Sequence, residues 1–156
     1  MKQSPSERRV LENMGAGALS REGFLGRDGR PISEILDTDS AAVTELAVTH
    51  QLIADRLEEI LRAAMADLGR PVRVGSHQTA AYHEAMGRIA CPWGCCGVFA
   101  KGEVELTDTR DQHIARFTPL SIHLIRAHGF YQGRGGRYRS SPQDLVQRLD
   151  IRGGDK

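Results

Sequence analysis

Residues 91–107 read CPWGCCGVFAKGEVELT. The first six positions hold all three cysteines of a 156-residue chain, beside a proline, the only tryptophan and a glycine. From Gly97 to Thr107 the residues alternate, with Val98, Ala100, Gly102, Val104 and Leu106 on one side. The stretch therefore reads as a tight cysteine turn feeding a strand. Thr107–Asp111 is polar and turn-like, and 112–118 returns as the partner strand with Ile114 opposing the apolar side. Upstream, Val72 and Val74 alternate and 79–91 reads as a strand of small residues. A small antiparallel sheet follows from these segments.

Helices surround this core. Thr118-Pro119 is a cap followed by proline at the first helical position, and the helix carries Leu120, Ile122, Leu124 and Ile125 before ending at Gly129. Ser141-Pro142 opens another helix by the same logic. Near the start, Ser4 and Glu7 form a capping box around Pro5, predicting a helix to about Met14. Short helices are expected at 32–37 and 40–46. The strongest periodicity lies in 49–69, capped by Thr49 and stopped by Gly69. Leu52, Ile53, Leu57, Ile60, Leu61 and Leu68 share one face there, expected to be buried in the domain or set against a partner helix. The fold class is α+β, a helical N-terminal segment packed on a small antiparallel sheet with a crossing helix. The expected division is a helical segment over 1–70, an α+β module over 71–150 and a frayed tail over 151–156.

Composition narrows the functional classes. Hydrophobic residues make up 40% and charged residues 26%, ordinary for a globular chain. No apolar run approaches the ~20 residues that a membrane span needs. The N-terminus lacks a signal-peptide core, so a cytoplasmic location with reduced thiols is expected. The net charge of +1 conceals an asymmetry: residues 110–156 carry nine Lys/Arg against four Asp/Glu, whereas both earlier segments, 1–90 and 91–109, are net acidic. That imbalance points to an anionic partner for the last third.

The cysteine turn suits a metal. Proline and glycine let the backbone fold tightly so that two thiolates point inward. Two imidazoles complete such a site, and His123 and His128 lie on the helix after the hairpin. The expected ligands are Cys91, Cys96, His123 and His128. Cys95 is the alternative to Cys96, and the choice of Cys96 rests on the glycine that follows it. The order of cysteine turn, hairpin and two-histidine helix resembles a two-cysteine, two-histidine zinc finger over about 40 residues. The 26 residues between Cys96 and His123 depart from that pattern, being about twice the usual twelve. The resemblance implies zinc as cofactor and a structural role for it.

The glycine- and arginine-rich loop GFYQGRGGRYRS (129–140) is the second candidate. Arg134, Arg137 and Arg139 can meet phosphates while Tyr138 stacks on a base. The alternative is a surface loop whose aromatics enter the core and whose arginines meet nearby acids. The sequence thus predicts a non-enzymatic, zinc-stabilised module contacting nucleic acid. Its rivals are a small metal- or Cys/His-dependent enzyme and a homo-oligomer or adaptor using the 49–69 helix.

Overall fold

The computed structural model describes residues 4–153. Among them are five helices: α1 (Pro5–Met14), α2 (Ile32–Glu45), α3 (His50–Ala66), α4 (Pro119–His128) and α5 (Pro142–Leu149). Six strands accompany them: β1 (Val72–Arg73), β2 (Gln78–His83), β3 (Arg88–Ala90), β4 (Val98–Ala100), β5 (Glu103–Asp108) and β6 (His113–Phe117). The fold is α+β.

Local chemistry sets the helix starts. Ser4, Thr49, Thr118 and Ser141 each accept a hydrogen bond from a backbone amide of the first turn, and Pro5, Pro119 and Pro142 supply the preset φ. α2 is one helix rather than two short ones. Thr38 and Asp39, weak helix formers, are carried through its middle because Arg139 holds the Asp39 carboxylate in a two-pronged pair of 2.6 and 3.1 Å.

The main sheet is antiparallel in the order β1-β2-β5-β6. Its register aligns Ala80 with Leu106 and Ala115, and Tyr82 with Val104 and Phe117. These six residues share the covered face with α3, α4 and α5. Ile114 pairs with Thr107 and belongs to the other face, 42% exposed, contrary to the expected register. A period of two leaves no alternative once Ala115 and Phe117 face inward.

The long strands expected over 79–91 and 97–107 are each cut in two. β3 and β4 pair only with each other and form a separate two-stranded ribbon. The breaks fall at 84–87 and at Lys101-Gly102. Tyr82 fills the space where a side chain at 102 would stand, so the chain crosses there on a glycine.

Two apolar clusters result, and α4 is their common wall. Ile122 and Ile125 join Ile53, Leu57 and Ile60 of α3 and the sheet. Leu120 and Leu124 join Met14, Phe24, Ile35, Cys91 and Phe130, with Ile89, Trp93 and Phe99 packed against them. Both clusters draw on residues before and after position 70. On α3 the apolar stripe is buried as expected through Ile53, Leu57, Ile60 and Leu61, so that face meets its own sheet and not a partner. Leu52 is only partly buried, and Leu68 is 91% exposed. The helix ends at Ala66, and Leu68 takes a left-handed φ of 49° that turns it out of the stripe.

Candidate metal centre

The β3–β4 ribbon carries the cysteine turn, and α4 lies against β4. Cys91 follows β3 directly. The amide of Gly94 donates to the Cys91 carbonyl at 2.8 Å, and Gly94 and Gly97 take positive φ of 71° and 57°. This turn curls the chain so that Cys95 returns toward Cys91. The Asn13 side chain of α1 donates to the Pro92 carbonyl at 2.9 Å and pins the turn from outside.

Four ligand atoms converge. Cys95 Sγ is 3.7 Å from Cys91 Sγ, 3.2 Å from His123 Nε2 and 3.3 Å from His128 Nε2. Cys91 Sγ is 3.5 Å from His128 Nε2, and all four atoms lie within 4.8 Å of one another. A zinc tetrahedron with ordinary bond lengths has edges of about 3.3–3.8 Å, and the separations of 3.7, 3.5 and 3.3 Å fall in that range. The donor chemistry, two thiols and two imidazoles, is that of a structural zinc site.

Of the four residues expected from sequence, Cys91, His123 and His128 meet here and Cys96 does not. Cys95 takes its place. Both Cys95 and Cys96 are exposed, but adjacent residues leave a turn in different directions and only the Cys95 sulfur joins the cluster. The Cys96 thiol is pushed up from its ordinary pKa, chiefly by hydrogen bonding with Cys95.

The histidines are five positions apart, a rotation of roughly 140° along a helix. His128 is the last residue of α4, and Gly129 closes the helix in the left-handed conformation at φ 62°. The two rings stand nearly perpendicular, at 84°, with centroids 5.5 Å apart, and both Nε2 atoms reach Cys95. Each ring is also clamped by an aromatic side chain of the ribbon. Trp93 stacks on His128 at 4.2 Å and 10°, and Phe99 stacks on His123 at 4.8 Å. Trp93 in turn meets Phe130 edge-on. Both histidine pKa values are lowered, first by burial; Arg126 adds to the effect at His123 and His123 adds to it at His128. Neutral imidazole is the form that binds metal. The clamping roles of Trp93 and Phe99 were not read from sequence, although the lone tryptophan inside the cysteine turn was a visible signal.

The arginine loop takes the alternative arrangement, with aromatics in the core and Arg137 and Arg139 on nearby acids. Phe130 and Tyr131 are buried in the two clusters. Arg139 holds the buried Asp39 and also donates to the Gln132 carbonyl. Arg137 holds Glu103 at 3.0 Å, and the Tyr138 hydroxyl donates to the same carboxylate at 3.3 Å. Arg134 is exposed, and its backbone joins the 24–28 segment: the Arg27 amide donates to the Arg134 carbonyl, and the Gly133 amide donates to the Phe24 carbonyl. The glycines serve this pairing. A side chain at Gly26 would strike the backbone of 134–136, and one at Gly133 would strike Leu25.

Compared with known proteins, the chain matches no family model, no curated protein and no solved structure. No helix among the described residues is long and apolar enough to cross a membrane.

Proposed function

We propose that the chain is a zinc-stabilised, non-enzymatic binding module. The observation that carries this is the convergence of Cys91, Cys95, His123 and His128. Four protein donors complete a tetrahedron, whereas a catalytic zinc keeps one position for water or substrate. The metal's role is then to lock the cysteine ribbon onto the end of α4, where the second apolar cluster alone is small. Nucleic-acid contact through Arg134, Arg137, Tyr138 and Arg139 is not carried into this function, because Arg137, Tyr138 and Arg139 engage carboxylates of the same chain. An adaptor built on α3 is set aside because its apolar stripe is internal.

The test is metal analysis of protein purified under reducing conditions, followed by cobalt substitution. Roughly one zinc per chain is expected, and cobalt should give the absorption of a tetrahedral site with thiolate ligands. Trp93, stacked on His128, should report loading through its fluorescence. Protein that holds no zinc and shows no cobalt–thiolate band would sink the proposal. A cobalt spectrum with an exchangeable water would shift the assignment to a metal enzyme.

A further inference from the structure

Beside the ribbon lies a cleft of about 310 Å³ whose lining includes none of the four clustered Cys/His residues. That is within the ordinary range of small-molecule sites, at its small end. One wall is the 20–24 segment, fixed by its pairing with 133–134. The opposite wall is the ribbon and its exit, with Ile89 and Lys101. Phe24, Leu120 and Thr118 at the start of α4 also line it.

Gln132 marks the cleft as more than a packing gap. It lines the space and is only 3% exposed. Its backbone also sits at φ 71°, in the left-handed region that non-glycine residues seldom adopt. A carboxamide on the cleft wall offers a polar partner to a ligand.

The charges of the lining are Arg21, Lys101 and Arg137 against Glu22 and Glu103. Glu103 is already engaged by Arg137 and Arg116. Arg21 and Lys101 have no carboxylate partner among the described residues, and both are exposed at the cleft. Phe24, Ile89 and Leu120 supply apolar surface in the same lining.

We infer that this cleft binds a small organic monocarboxylate with an apolar body. Its carboxylate meets Arg21 and Lys101, its body lies on Phe24 and Leu120, and a polar group reaches Gln132. The site uses none of the metal ligands, so its failure and that of the zinc site are distinguishable on one sample.

The experiment titrates hexanoate, phenylacetate and cinnamate at millimolar concentration into the zinc-treated full chain, with amide chemical shifts and metal content read together. At least one acid should bind saturably, with shifts gathered at Phe24, Lys101, Leu120, Gln132 and Tyr138. The matching primary amide should bind at least about tenfold more weakly, because the charge-assisted contacts are gone. The double variant Arg21→Ala/Lys101→Ala should lose about the same factor with an unchanged melting temperature, since both side chains are on the surface. Gln132→Leu supplies a second check, and where it folds it should weaken the acid further. No saturable shift with any of the three acids, equal affinity for the amides, or full binding by the double variant would overturn the site. A sample without zinc that still binds the acid supports the cleft while sinking the metal.

Discussion

Replacing Cys95 with Ser removes the sulfur that Cys91, His123 and His128 all approach within 3.7 Å. Zinc affinity should fall by more than the 10–100-fold that outer-shell changes produce. Cys96→Ser should leave affinity unchanged, because that thiol stands outside the cluster. Competition with a chelating dye separates the two variants, and equal losses would contradict the assignment of Cys95. A second residue-scale expectation concerns His50, whose ring bonds the Tyr131 hydroxyl at 2.8 Å and Ser40 at 3.2 Å. Burial lowers its pKa below 6.5, against a smaller opposing pull from Asp39. The folded chain therefore binds fewer protons than the unfolded chain. The stability this gives is full above pH 6.5 and is lost as pH falls through the folded value. The stability gap between wild type and His50→Gln, from urea melts, should shrink between about pH 7.5 and about pH 5. A gap that widens on acidification would show the charged imidazole to be the favoured form.

At the scale of elements, the α3 stripe and the α2–loop pair make contrasting predictions. Leu57→Ala empties a fully packed site and should cost about 2–5 kcal/mol, whereas Leu68→Ala should stay within about 0.5 kcal/mol. Arg139→Ala strands the Asp39 carboxylate in the interior and should cost about 3–5 kcal/mol, read by denaturant melts. A near-neutral Arg139→Ala would return that arginine to the surface role its composition suggested. What was legible in sequence divides along the same line. The starts of α1, α3, α4 and α5 were readable because a cap, joined by a proline in all but α3, acts on its own turn. The pairing of cysteines with histidines was readable because donor chemistry is written in residue type. The split of the strands was not, since it depends on Tyr82 occupying the space beside Gly102. The choice of Cys95 was not, since it depends on left-handed Gly94 and Gly97. Nor was the purpose of the glycine loop, because its partner segment lies a hundred residues earlier. Each of these is a long-range steric fact that leaves only a glycine in the local sequence.

For the whole molecule, α4 divides a cluster held by the sheet from one that the metal ligands border. Chelation under reducing conditions should raise amide exchange in β3, β4 and the end of α1, while β2 and β5 stay protected. Uniform loss of protection would mean that the two clusters melt as one. The β5–β6 hairpin has one more consequence. It stands between the ribbon and α4, leaving 27 residues from Cys95 to His123. Relative to the usual twelve of a short finger, closing the longer loop costs only about 0.7 kcal/mol more in chain entropy, so the insertion is thermodynamically mild. Its effect falls on the order of assembly. In a short finger the ion can gather the chain. Here the hairpin must zip first, because its closure is what carries α4 back to the cysteines. In the proposed zinc module the ion would then meet a surface already made, and act as a latch rather than a nucleus. Refolding rates should be independent of zinc concentration, while unfolding slows as zinc is added.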